Sequence, residues 1–392
     1  SPRDMIPYRQ LVRMSHLAAR FVGGADVHVV DPLVDLRNVF EQTDQLKIAL
    51  ECRNLTVDVE KVKNEYDEWF ETYQKWKQAD KESISQLKKE LRAKKDGLLN
   101  ALALPNLVHH AGKKQTPLLK PSKHAQYLAQ QGLMRIDKQN HVVHLVGYPV
   151  VVQKMIREQL VDLFPGCQPI SPSYFARAAI LEALNIDQST CIPFTDDSSH
   201  FPLTYLVGNS LPAITSPFLK TSFGEKNEWP ISVQCTGASY TEKKNQVDLG
   251  NARQRMKHCA LWMSKSAEEL EGIINDANVR VGAYLDEGLD LEVKVREVRG
   301  SELKNYESQA FVVENRGLSL SRISRIGDYV SKRLNIQYSG SPATEKSEKS
   351  DGFVQMVYVE TDIDRILARL VDDLIEGKEP PKYIRDAIKK SF

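Results

Sequence analysis

A chain of 392 residues exceeds one ordinary compact core, so two domains are the expectation. Apolar residues at 41% and charged residues at 27% are usual for a globular protein, and a formal net charge of +1 excludes a polycation. Nucleic-acid contact would need a local basic surface; no apolar stretch is long enough to cross a bilayer. The cysteines (Cys52, Cys167, Cys191, Cys235, Cys259) are scattered without a histidine cluster, which argues against structural zinc and for unpaired thiols in a reducing compartment.

Residues 1–24 set Arg3, Arg9, Arg13 and Arg20 among apolar residues against Asp4 alone. Such acidic-poor, arginine-rich character is that of a mitochondrial presequence, and a start at Ser1 fits a processed chain. A short surface helix with exposed arginines fits equally well.

From Gln42 to Leu104 the pattern is helical. Ile48, Cys52, Leu55, Val59, Val62, Tyr66, Trp69, Tyr73 and Trp76 recur every three or four residues, and Ile84, Leu87, Leu91, Lys94, Leu98 and Ala101 repeat the series. Each seam needs a partner helix, and the polar stretch 78–81 between them predicts a hairpin with its tip near Asp80. The first helix would run about 36 residues, roughly 54 Å at 1.5 Å per residue. Its two tryptophans and two tyrosines either pack across a wide hairpin or face another partner. The returning helix is basic, with Lys81, Lys88, Lys89, Arg92, Lys94 and Lys95 against Glu82 and Glu90. Such a face suits a phosphate backbone, whose neutralisation releases counterions, and a solvated helix face is the plain alternative.

Beyond Leu104 the pattern is mixed. Residues 150–164 read as an amphipathic helix stopped by Pro165-Gly166, and 173–185, 266–277 and 362–376 as further helices. Short apolar runs at 203–207, 279–285, 310–313, 334–338 and 353–359 read as strands. Because strands and helices do not alternate strictly, an α+β fold with an antiparallel sheet is expected. Residues 339–352 hold no large apolar side chain and read as a hairpin tip. No P-loop, HExxH or GxSxG pattern occurs. His109-His110 reads as a turn, His141 and His144 as surface residues, and Asp196-Asp197 with His200 as a polar loop.

A long helical hairpin followed at once by Leu104-Pro105-Asn106 resembles the seryl-tRNA synthetase family. The run Asp328-Tyr329-Val330-Ser331-Lys332-Arg333-Leu334-Asn335-Ile336-Gln337-Tyr338 is similar to a segment of that family, and Gly166–Pro172 with Tyr174–Leu184 is similar to the end of class II motif 1 and its following helix. The resemblance implies an N-terminal extension over 1–42, a tRNA-binding arm over 43–104 and a class II catalytic-like domain over 105–392: an antiparallel sheet flanked by helices.

The departures imply lost chemistry. Val233 and Cys235 stand where the family has the arginine and glutamate of motif 2. A valine cannot give a phosphate the two parallel hydrogen bonds of a guanidinium, and one lost donor of that kind costs about 3–4 kcal/mol of transition-state stabilisation. Leu211 replaces the carboxylate that would pair with the substrate's amino group. Ser319 and Arg325 fall near metal-holding positions, where a cation is no help. Arg365, or else Arg369, matches the adenine-stacking arginine of motif 3; an exposed helix arginine is the plainer reading. The resemblance therefore implies a non-catalytic paralogue without cofactor or metal. It would pair with an active mitochondrial seryl-tRNA synthetase in the matrix, through Val151, Met155 and Pro172, and present Lys77, Lys81, Lys88, Lys89, Arg92 and Lys95 to tRNA(Ser) or another mitochondrial RNA. A divergent active synthetase and a stand-alone RNA-binding protein are the alternatives.

Overall fold

The structure is a computed structural model that describes residues 15–23, 28–112, 122–194, 204–224, 226–241, 246–338 and 352–391. Arg3, Arg9 and Arg13, the 196–200 loop and all but the last residue of the 339–352 hairpin tip lie outside them.

The hairpin is present but shorter than its periodicity implied. Helix α1 (Thr43–Cys52) stops at Asn54, whose φ of 56° is left-handed. The Leu55 N–H returns to the Leu50 carbonyl and the Asn54 N–H to that of Glu51, a Schellman closure that ends a helix despite a continuing apolar repeat. Helix α2 (Val59–Gln78) restarts with Asp58 as its cap, the carboxylate accepting the Lys61 N–H at 3.1 Å. At 20 residues α2 is about 30 Å long, not 54 Å. The return is likewise split, into α3 (Ile84–Ala93) and α4 (Lys95–Leu102). Gly97 lets α4 lie on α2, because a Cβ there would meet the Glu65 carbonyl oxygen at 2.2 Å. Ile48 and Ile84, expected in the seams, are 53% and 38% exposed.

The partner for the aromatic seam is the chain's own N-terminal segment. Phe21 meets Trp69 and Tyr73 edge-on at 6.0 and 5.7 Å, and Phe40 lies 5.3 Å from Tyr66. The Tyr66 hydroxyl accepts the Leu36 N–H and donates to the Val34 carbonyl, both at 2.8 Å. The extension and the arm thus share one core.

The remainder is built on a seven-stranded sheet of β1 (Gln168–Pro169), β2 (Ile231–Tyr240), β3 (Gln254–Ser264), β4 (Lys294–Glu297), β5 (Gln309–Asn315), β6 (Leu318–Gly327) and β7 (Gln355–Asp362), in the order β4-β5-β6-β7-β3-β2-β1. Every neighbouring pair is antiparallel except β1 with β2. The expected α+β fold, an antiparallel sheet flanked by helices behind a helical arm, is the one observed.

Helices α5 (Tyr148–Asp162), α6 (Glu269–Ala283) and α7 (Ile363–Ile375) cover one face of this sheet. Residues 279–285, expected as a strand, extend α6 and the turn after it: Leu270, Ile274, Ala277, Val281 and Leu285 are buried at helical spacing. A short apolar run fits either period, and the stripe begun upstream decides it. The other face carries a second core and a smaller sheet of Phe175–Arg177, Ile192–Phe194 and Thr204–Leu206.

The segments that resemble the synthetase family are joints between arm and sheet. The Asn106 side-chain amide donates to the carbonyls of Tyr306 and Ile326 at 3.0 and 2.9 Å. Arg333 is buried with its guanidinium 3.5 Å from the Tyr329 ring centroid and donates to the Leu102 carbonyl, while the Tyr329 hydroxyl donates to that of Leu104. Asn335 takes a φ of 55° to end the 329–334 helix. Of the 334–338 run read as a strand, Leu334 ends this helix and only Gln337–Tyr338 is strand.

Candidate functional site

Sheet register decides which side chains can meet. Residues directly opposite on antiparallel strands point to the same face, so Gly237, Lys257 and Asp362 share a face, as do Cys235, Cys259, Glu360 and Arg322. Toward one end these in-facing positions are apolar, with Val233, Leu261 and Met356 in the core. Toward the other they are charged. A cavity of about 580 Å³ opens there, walled by Leu181, Ile186, Val207, Leu211 and Leu303, with Ser210, Ser239, Tyr240 and Thr241 on its rim and Arg255, Lys257, Lys304, Glu360 and Arg365 among its lining.

The deep cations are engaged from within. The Lys257 ammonium lies 2.8 Å from the Glu360 carboxylate, whose other oxygen accepts the Tyr358 hydroxyl at 3.0 Å. Arg255 is 8% exposed; it bonds the Gly250 carbonyl at 2.7 Å and Asp362 at 3.0 Å. Arg365 shares Asp362 at 3.5 Å and donates to the carbonyls of Gly250 and Ser319. Next to them Arg322 grips the fully buried Glu307 through two nitrogens, Nε at 2.7 Å. Burial alone would raise the Glu360 carboxyl, but Lys257 and Lys304 outweigh it and hold the group well below the usual carboxylate range.

The residues expected from sequence divide clearly. Leu211 lines the cavity and is buried, an apolar wall. Arg365 lines it too and is no exposed helix arginine, whereas Arg369 is fully buried against Asp372 on the helix-covered side. Val233 and Cys235 do not reach the cavity: they lie beneath it in the core, and Ser239 and Tyr240 at the end of β2, with Thr241 just beyond it, are what this strand brings to it. The Cys235 thiol bonds the Asn209 side-chain oxygen, and burial pushes it up to about 12, so it is no nucleophile. Arg325 is opposite Val357, hence on the other face, and pairs with Glu271 at 3.3 Å. Ser319 contributes only its carbonyl, to Arg365. Among the described residues no group of three histidine, cysteine or carboxylate side chains could hold a metal ion.

Sequence reading missed Arg255, Lys257, Lys304 and Glu360. A signal was present: Arg255 and Lys257 alternate in a strand continued by Cys259, Leu261 and Met263, and Glu360 and Asp362 alternate in another, so like positions turn from apolar to charged.

On the arm, Lys77, Lys81, Lys88, Lys89 and Arg92 are exposed and Lys95 is half-buried. Lys77 sits 5.8 Å from the Tyr73 ring centroid, and Lys94 crosses to α2, bonding the Thr72 hydroxyl at 3.2 Å. The expected partner helix α5 spends much of its apolar face internally. Leu160 is fully buried, and Val151 and Met155 are half-buried; Met155 packs into the same core as Ile388 of the C-terminal helix α8 (Lys382–Ser391), which lies across α5. Pro172 borders a second groove with Ile170, Phe218 and Phe223. Among the described residues no helix is long and apolar enough to cross a membrane.

An antiparallel sheet flanked by helices, with a helical arm in front, matches the fold of class II aminoacyl-tRNA synthetases. Within that class the resemblance runs the length of the seryl enzymes. The seryl-tRNA synthetase of Pyrococcus horikoshii complexed with ATP superposes with a TM-score of 0.74 at 15% identity, over 91% of this chain and 98% of that one. The cytoplasmic serine-tRNA ligase of Naegleria fowleri in complex with AMP gives 0.70 at 15%, over 92% and 97%. The prolyl-tRNA synthetase of Giardia lamblia gives 0.56 at 16%, over only 66% and 54%. No family model and no curated protein matches the sequence.

Proposed function

We propose that this chain is a non-catalytic paralogue of a seryl-tRNA synthetase, of the seryl-tRNA synthetase-like kind that works in insect mitochondria, and that it pairs in the matrix with the active mitochondrial enzyme to support tRNA(Ser) binding and serylation. The observation that carries the reading is the occupied state of the cavity's own charges: Lys257 is paired to Glu360, Arg255 and Arg365 share Asp362, and Leu211 closes the wall. Cations already matched by buried carboxylates have little capacity left for a triphosphate, because each would have to give up an ion pair as desolvated as the one it gains. The intact sheet, arm joints and exposed arm lysines support a retained binding role. Pairing would use what the internal packing leaves free: Val146 just before α5 and Val150 in its first turn, 59% and 41% exposed, and the groove beside Pro172.

Expression with and without the mitochondrial synthetase tests this, with complex formation and serylation measured together. A heterodimer and enhanced serylation are expected; recovery of homodimers or monomers alone overturns it. The Arg365 guanidinium in the cavity favours a second reading, a divergent active synthetase. Serine-dependent ATP–pyrophosphate exchange above background by the isolated chain would establish that instead. The exposed lysines of α3 favour a third, RNA binding outside aminoacylation, whose mark is steep salt dependence without a synthetase partner.

A further inference from the structure

The cavity is closed to a triphosphate on charge grounds, but its charges do not cancel. Five cations stand in or beside it: Arg255, Lys257, Lys304, Arg322 and Arg365. Four carboxylates face them. Glu360 takes Lys257, Glu307 takes Arg322, and Asp362 is shared by Arg255 and Arg365. The fourth, Asp248, acts on Arg365 at longer range and is bonded to the Gly250 N–H and the Asn251 amide. Up to one positive charge is left over, since Asp364 beside Asp362, pushed up to about 7 by burial, carries only part of a charge at neutral pH. The cation that no close ion pair claims is Lys304, which lies 5.6 Å from the Tyr306 ring centroid and feels Glu360 and Glu307 only at longer range. Deeper in, the Arg255 Nε is buried without a hydrogen-bond partner. The opposite wall is apolar, and a volume of about 580 Å³ is that of a small-molecule site.

We propose that the cavity binds a small monocarboxylate with an apolar body, its charge held by Lys304 and the guanidinium edge of Arg255 and its chain lying on Leu211, Leu181 and Ile186. A single surplus charge in a part-buried site selects a monoanion over a polyanion, because every further negative charge would be desolvated without a counterion. The Leu211 wall selects an aliphatic body over serine, whose hydroxyl and ammonium would both be unpaired against it. The proposal rests on the non-catalytic reading of this pocket.

Calorimetric titration of the full chain with 4-methylpentanoate, 4-methylpentanamide, L-serine and ATP tests it. The acid is expected to bind about tenfold or more tightly than its amide, the difference made by one charge-assisted contact, and more tightly than serine or ATP. Lys304→Gln should abolish the preference for acid over amide; because Lys304 also helps hold Glu360 ionised, some loss of melting temperature is expected with it, and the titration is read well below the transition. Equal binding of acid and amide, no binding of either, or tighter binding of ATP than of the acid overturns the proposal. The acid–amide comparison on the unaltered chain needs no variant to fold. Failure with the acid leaves the pairing reading standing; that reading falls instead to pyrophosphate exchange.

Discussion

Replacing Glu360 by glutamine keeps the side chain's shape and removes the countercharge of Lys257. The Lys257 side chain is 7% exposed and that of Glu360 20%, so the pair is largely desolvated, and the lysine left behind cannot be rehydrated without opening the cavity floor. Breaking one partner of such a pair costs about 3–5 kcal/mol, whereas exchanging both for apolar residues is often neutral. The variant should therefore lose about 3 kcal/mol, or roughly 4–5 °C in melting temperature for a unit of this size, and adding Lys257→Met should recover most of it. The dependence on pH follows from the direction of the carboxyl shift. Glu360 titrates lower in the folded chain than its ordinary value of 4.5, so its contribution is fully present above that value and is lost as the pH falls below it. Denaturant unfolding of parent, single and double variants at pH 7 and again toward pH 4 reads both effects. A Glu360→Gln loss below about 1 kcal/mol at pH 7, well short of what breaking a buried pair costs, or a double variant no better than the single, would refute the claim that these charges are committed to each other.

Four further outcomes follow from the same structure. Asp364 is pushed up to about 7 by burial and by Asp362, while the Met256 N–H and the Gln153 amide bond it; because its folded value lies above its unfolded one, stability should fall as pH rises from about 4 to about 7, and Asp364→Asn should flatten that slope in pH-dependent melts. Gly97→Ala sets a Cβ 2.2 Å from the Glu65 carbonyl oxygen, so α4 must leave α2 and hydrogen exchange should rise across 59–102 while the sheet remains protected. Neutralising Lys88, Lys89 and Arg92 together should weaken RNA binding and lower the slope of log affinity against log salt by about 2–3, measured by titration at several ionic strengths. Phe21→Ala removes two edge-on aromatic contacts to α2 and should cost about 3 kcal/mol, read as a lower melting temperature of the arm.

Much of the fold was legible because its determinants are local. The heptad-like spacing of Val62, Tyr66, Trp69 and Tyr73 dictates a seam whatever covers it, and that seam is buried. The same locality misled where a cap outweighs a pattern: the apolar repeat runs on through Cys52 and Leu55, yet Asn54 and Asp58 end one helix and start another.

The cavity was hardly legible. Its pairs join Lys257 to Glu360 and Arg255 to Asp362 across more than a hundred positions of sequence, and no spacing rule links residues so far apart. Strand register places Val233 and Cys235 under the cavity, and it sends Arg325 to the far face. A shift of one residue would reverse each assignment, and register is fixed only when whole strands pair. The resemblance to a synthetase that had lost its catalytic side chains came from the sequence alone, through local patterns in their order. How the cavity is built, with buried carboxylates beside most of its cations, was decided by tertiary structure, because only folding brings charges from distant strands within reach of each other.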